Sequence, residues 1–255
     1  MKKLFAFTAI LLVLLGCDAS KLNSVLKPQE QKSLAPTNAE MIAALKEALT
    51  VGSSDASTAL SKTGAFSSSE IYKIFLPKEA DAITKNISLV PGGKKLVDDT
   101  ILRINASAER ASAKAAPIFA RAITEMSITD AIGILRGGNT SATDYLKSKT
   151  TANLKAAFSP DVQQALNEPI VAGVSAQKSW DTLTSSYNTA ANSFAGKLAK
   201  LTPVKADLKE HVLDRSLEAL FAEVGAKEQS IRANPLKAAS SVVRKVFDYA
   251  KNELK

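Results

Sequence analysis

Only one cysteine, one histidine and one tryptophan occur in 255 residues. A zinc, iron or copper centre draws convergent ligands from histidine and cysteine. With one of each, that chemistry has nothing to build on. Carboxylates alone would suit calcium or magnesium, but no Asp-x-Asp-x-Asp-Gly loop is present. The sequence therefore predicts no metal and no cofactor. A single cysteine also excludes an internal disulfide. Aromatic residues make up 5% of the chain, and the lysines are scattered rather than massed in a block. Nucleic-acid readers combine a basic patch with interleaved aromatics, so no nucleic acid is expected as a partner. Strand-like alternation of β-branched residues is almost absent. Alanine, leucine, lysine and glutamate recur instead at helical spacing. The expected class is all-α.

No apolar run is long enough to span a bilayer. The longest, residues 4–15, follows the positive start Met1-Lys2-Lys3. Twelve helical residues rise only about 18 Å, against a hydrocarbon core of about 30 Å. A positive start, a short apolar run and a small residue form the pattern of a secretory signal. Here the small residue is Gly16, and Cys17 follows it. Leu14-Leu15-Gly16-Cys17 resembles the bacterial lipobox, in which the cysteine thiol is diacylated and the chain is cut before it. Lipidation accounts for a lone cysteine in an exported chain, which would otherwise be a stray reactive thiol. Two or three acyl chains such as palmitate hold a protein at a membrane as one chain cannot. Asp18 resembles an inner-membrane retention signal and favours the inner over the outer membrane. The expected location is the periplasmic side of a Gram-negative envelope, lipid-anchored through Cys17.

Removing residues 1–16 leaves 239 of the 255 and takes the formal charge from +8 to +6, because Lys2 and Lys3 leave with the signal. Residues 17–36 are polar, include Pro28 and Pro36, and read as a flexible tether. Residues 37–255 read as one all-helical domain, a single compact array of about ten helices. Thr37-Asn38-Ala39-Glu40 is a capping box. Ser67-Ser68-Ser69-Glu70 predicts a short helix through Ile71, Ile74 and Phe75, and Val90-Pro91-Gly92-Gly93 a turn. A longer helix is expected from about Lys94 to Ala113, with Pro117 kinking or restarting it. Ser127-Ile128-Thr129-Asp130 caps the next helix, which Gly137-Gly138 ends. Further starts are expected near Thr140, at Ser159-Pro160, near Ser175, near Asp207 and at Asn234-Pro235.

The order of these features resembles the domain of unknown function 4197 family of exported bacterial proteins. The resemblance begins at Ala44-Leu45-Lys46-Glu47-Ala48-Leu49 with Gly52 and includes Asn105 with Glu109. Its densest stretch is Pro117-Ile118-Phe119, Ala122-Ile123, Met126, Asp130-Ala131, Ile134-Leu135 and Gly137-Gly138. It continues through Ala142-Thr143, Tyr145, Thr150, Leu154, Phe158 and Pro160, and ends in Ile231-Arg232, Asn234-Pro235 and Lys245-Val246-Phe247. Two departures stand out. Ala106 replaces the family's arginine after Asn105, and Ala219 replaces a glycine before Leu220-Phe221. The resemblance implies an exported protein and leaves its activity open.

Few residues suggest chemistry. Asp99 and Glu109 lie ten residues apart, a helical rotation of about 1,000°, or about 80° off one face. Such a pair could serve a glycan hydrolase, although acids near a helix start and on its solvated face are ordinary. His211 has Asp214 at i+3 and Asp207 at i−4, a base with carboxylate neighbours, but no Gly-x-Ser-x-Gly elbow accompanies it. Gly137, Gly138, Asn139, Thr140 and Thr143 form a helix corner whose free N–H groups suit a phosphate or carboxylate. Trp180, Tyr187 and Phe194 recur every seven residues, a stripe that suits core packing or an apolar groove. The expected function is a non-catalytic binding or envelope-assembly factor for a partner protein or an apolar ligand. A glycan hydrolase using Asp99 and Glu109 is the alternative.

Overall fold

Thr37 opens the first helix, α1 (Asn38–Leu60), through the expected capping box. Its hydroxyl accepts the Glu40 N–H at 3.2 Å, while the Glu40 carboxylate accepts the Thr37 N–H at 2.8 Å. The computed structural model describes residues 35–84, 93–171, 173–198, 200–237 and 240–254. Cys17, the signal, the tether as far as residue 34 and most of the expected turn at Val90 therefore lie outside the described residues. Pro36–Lys255 is a unit of its own.

After α1 come a 3-10 turn (Lys78–Ala80) and the single turn α2 (Asp81–Thr84). Next are α3 (Gly93–Ser112), α4 (Ala115–Thr124), α5 (Ile128–Arg136) and α6 (Ser141–Asn167). A short antiparallel pair, β1 (Pro169–Val171) and β2 (Val174–Ser175), interrupts the helices, with Gly173 at φ +76° between them. Then follow α7 (Ala176–Asn192), α8 (Phe194–Leu198), α9 (Leu208–Ala233), a second 3-10 turn (Pro235–Lys237) and α10 (Ser241–Glu253). The class is all-α. Among the described residues there are ten α-helical segments, of which eight have nine residues or more.

The caps read from sequence hold where both partners are local. Ser127 and Asp130 form a reciprocal box at α5, and Asp207 accepts the Glu210 N–H at the start of α9. Two expected starts do not form. Ser67-Ser68-Ser69-Glu70 lies in turns rather than a helix. There the Ser69 hydroxyl takes the N–H groups of Ile71 and Tyr72, and side chains of α3 bind the backbone further along. Ser159-Pro160 starts nothing, because α6 runs straight through it. An internal proline costs about 3 kcal/mol. Leu154, Phe158, Val162 and Leu166 form one buried row on both sides of it, and burying each such side chain is worth about 1.5–3 kcal/mol. Burial wins.

Two helices organise the packing. The long α6 lies against α9, α3 and α4, and α1 lies against α4, α9, α10 and α5. Small residues in α1, among them Gly52, Ser53 and Ala56, let neighbours approach, and the Ser57 hydroxyl reaches the Ser112 carbonyl at 2.7 Å. Phe66, Phe119 and Phe158 fill the interior, with Phe119 edge-on to Phe221 at 6.0 Å. Lys245 of α10 holds Glu40 at 2.7 Å. That lysine first, then the Thr37 backbone and hydroxyl, lowers the Glu40 carboxyl to about 2. Its folded value lies below its ordinary one, so its contribution is complete above pH 4.5 and is lost as pH falls towards 2.

Candidate functional site

The backbone donors of the helix corner between α5 and α6 are the expected anion site. Gly137 ends α5, and a Cβ there would lie 2.1 Å from the Ser141 hydroxyl oxygen and 2.7 Å from Ser141 Cβ. Only glycine fits so tight an approach. Thr140 precedes α6, but its hydroxyl bonds Asp144 rather than capping the helix. The free N–H groups of Ala142 and Thr143 point inward onto Glu228 of α9, at 2.9 and 2.8 Å, and the Thr143 hydroxyl adds a third bond at 2.8 Å. Glu228 is only 6% exposed. Arg232 donates to it at 2.8 Å and to the Ile134 carbonyl at 2.8 Å. The positive end of α6 thus holds a carboxylate, and that carboxylate is the chain's own. Gly137 and Asn139 face outward instead, on a surface cleft of about 430 Å³ shared with Arg136, Arg232, Phe247 and Lys251. Gly138 is exposed beside them.

The aromatic stripe divides. Trp180 is buried and donates its indole N–H to the Ala206 carbonyl at 3.1 Å. Tyr187 packs half-buried against the core, whereas Phe194 is 86% exposed. The space against Trp180, bounded by Leu76, Leu96 and Leu208, is about 30 Å³. That is room for a water molecule, not an acyl chain.

The acids and the histidine are engaged elsewhere. Asp99 pairs with Lys95 at 2.6 Å. Glu109 is buried and accepts the N–H groups of Phe66 and Ser67 at 3.1 and 3.4 Å. Asn105, one turn earlier, clamps both backbone groups of Ile74, at 2.9 and 2.8 Å. His211 Nε2 lies 2.9 Å from the Phe75 carbonyl oxygen. Asp207 is spent on its cap, and Asp214 with Glu210 holds the Lys155 ammonium, raising its pKa. Neither aspartate orients the imidazole.

A cleft of about 640 Å³ opens where α4, α5 and α6 meet. From α4 come Pro117, Ile118, Arg121 and Ala122, and from α5 Asp130. Tyr145, Lys149, Thr150, Asn153 and Ala156 line it from α6. Both charge signs are present. Arg121 pairs with Glu125 at 3.0 Å, and Lys149 sits 5.7 Å from the Tyr145 ring centre. The Ser127 hydroxyl, then its N–H, hold the Asp130 carboxyl below its usual range. Burial, then the charges of Asp130 and Glu125, push the Tyr145 phenol up. It therefore stays protonated, a neutral donor at any physiological pH. Pro160 has no N–H for the Ala156 carbonyl, so this cleft-lining residue lacks its usual i+4 donor. The Thr150 hydroxyl is spent on the Leu146 carbonyl at 2.6 Å. Such a lining offers donors, acceptors and apolar wall without a nucleophile paired to a base.

The family profile for proteins of unknown function, DUF4197, matches residues 35–248. The chain belongs to this family. No curated protein and no solved structure matches it significantly. Pro117, Ile118, Ala122, Asp130, Tyr145 and Thr150, all among the residues carrying the DUF4197 resemblance, meet at the large cleft. Asn105 and Glu109, which also carry it, hold the segment following α1. The departures fall on packing positions, Ala106 half-buried and Ala219 buried. Sequence reasoning missed the cleft in this DUF4197 chain. The available signal was Tyr145, Lys149 and Asn153 at i, i+4 and i+8, one polar and aromatic row along a single helix face.

Proposed function

We propose that this chain is a lipoprotein anchored through Cys17 on the periplasmic side of the envelope, inner membrane favoured. There it acts as a non-catalytic binding or assembly factor, and the cleft between α4, α5 and α6 receives a polypeptide segment of a partner protein. The observation that carries this reading is the mixed lining of that cleft, with Tyr145 as a neutral donor beside charges of both signs. A partner protein is favoured over an apolar ligand because the space at Trp180 is too small for one. The engagement of Asp99 and Glu109 in a surface ion pair and a buried backbone bond speaks against the glycan-hydrolase alternative.

Two experiments test the halves separately. Exported behind a signal that is cut without lipidation, Cys17→Ser is expected to move the protein, once the membranes are washed in high salt, to the soluble periplasmic fraction. Retention at the membrane would show that the lipid is not the tether. In a strain lacking the native copy, Arg121→Glu with Lys149→Glu, which reverses the cleft's cations, is expected to compete as poorly as the deletion. Asp99→Asn is expected to grow as the native protein does. The reverse pattern would favour the enzyme.

A further inference from the structure

Between α7 and α9 the chain makes a projecting knob around α8. Asn188 of α7 holds its far end, accepting the Val204 N–H at 2.6 Å and donating to the Val204 carbonyl at 2.8 Å. Within eight residues the knob leaves Phe194, Leu198 and Leu201 exposed, at 86%, 77% and 41%. Lys197, Lys200 and Lys205 are exposed among them. Residues 182–206 contain no aspartate or glutamate. Lys200 sits at φ +55°, the left-handed position after a helix that glycine usually takes. The Leu201 N–H closes the turn onto the Gly196 carbonyl at 2.9 Å. Large apolar side chains in water on a stretch whose only charges are lysines are a poor fit to a protein partner, because lysine is depleted from protein interfaces. They fit the interfacial zone of a bilayer, where aromatic and aliphatic groups insert and lysines meet lipid phosphates.

We infer that this knob is a second membrane contact: Phe194, Leu198 and Leu201 enter the surface of an anionic bilayer while Lys197, Lys200 and Lys205 pair with its phosphates. The contact does not depend on the lipid at Cys17. With it, a tethered domain would be held in one orientation.

The Pro36–Lys255 unit has its own buried core and capped helices, so residues 36–255 serve for the test, without signal or Cys17. Co-sedimentation is measured with vesicles of phosphatidylethanolamine and phosphatidylglycerol, and with phosphatidylcholine alone, at low salt. Binding is expected to the anionic vesicles and to be at least about tenfold weaker to the neutral ones, because each lysine is worth about fivefold at an anionic surface. Lys197→Gln with Lys200→Gln is expected to lower partitioning about twenty- to thirtyfold. Phe194→Ser with Leu198→Ser should lower it about a hundredfold. Both pairs lie on the surface and should leave the circular dichroism spectrum unchanged. Failure to bind anionic vesicles overturns the inference, as does equal binding by all variants. So does a wild-type dimer that Phe194→Ser dissolves, which would give the face to a second copy. None of these outcomes bears on the cleft, and the high-salt wash keeps the test at Cys17 separate from this contact.

Discussion

Replacing Glu228 by alanine is expected to lower the unfolding free energy by about 3–5 kcal/mol, the range for removing one partner of a buried ion pair. For a domain of this size that is a fall in Tm of roughly 6–20 °C. The carboxylate joins three elements: the first turn of α6 through Ala142 and Thr143, α9 on which it stands, and α5 through Arg232 and Ile134. Alanine would leave two N–H groups without acceptors and the Arg232 guanidinium, 12% exposed, without its counter-charge. Glu228→Gln keeps an acceptor and should lose about half as much. Adding Arg232→Met to Glu228→Ala removes the stranded charge, so the pair should be less destabilised than the single variant. Urea unfolding measures all three. A loss below about 1 kcal/mol for Glu228→Ala would match an exposed pair. It would mean that the α6 start is solvated and open to an outside anion after all.

Asn105→Ala is expected to cost about 2–5 kcal/mol, because it leaves both backbone groups of the buried Ile74 unpaired. The loss should concentrate in the segment from α1 to the first 3-10 turn. Limited proteolysis there should accelerate before the rest of the domain opens. Asn105→Asp keeps the acceptor for the Ile74 N–H but turns a carboxylate towards the carbonyls of Ile74 and Ile101. It should be at least as damaging at neutral pH and partly relieved by acid, which protonates it into a donor. If Asn105→Ala folds as stably as the native protein, the clamp is incidental. The pairing of Asn105 with Glu109 would then need another explanation, a ligand among them.

The sequence legibly marks what is local. Thr37 with Glu40, Ser127 with Asp130, and Asp207 with the third helical N–H bond partners three residues away, and each marks its helix. Long-range side chains defeat the same reasoning. Ser67-Ser68-Ser69-Glu70 has the composition of a helix start, yet its neighbours bind Glu109 and Asn105, 43 and 31 residues on. Pro160 has the look of a start and is carried inside α6 by the buried row around it. The N–H groups of Ala142 and Thr143 at the start of α6 are turned inward. Their acceptor, Glu228, lies 85 residues from Thr143 and looks like any charged residue of an amphipathic helix. The cleft is faint in the sequence, beyond the row Tyr145, Lys149 and Asn153, for a related reason. Three helices build it, and each contributes residues that read singly as cap, apolar face or solvated row.

Photo-crosslinking decides whether the cleft takes a partner protein. A photoreactive amino acid at Asn153 of the full-length chain, in cells of its own host, places the probe on the cleft wall. One discrete protein adduct is expected, lost when Arg121→Glu and Lys149→Glu reverse the cleft's cations. An Asn153 probe that captures only lipid or glycan, or captures the same protein despite both reversals, would contradict it.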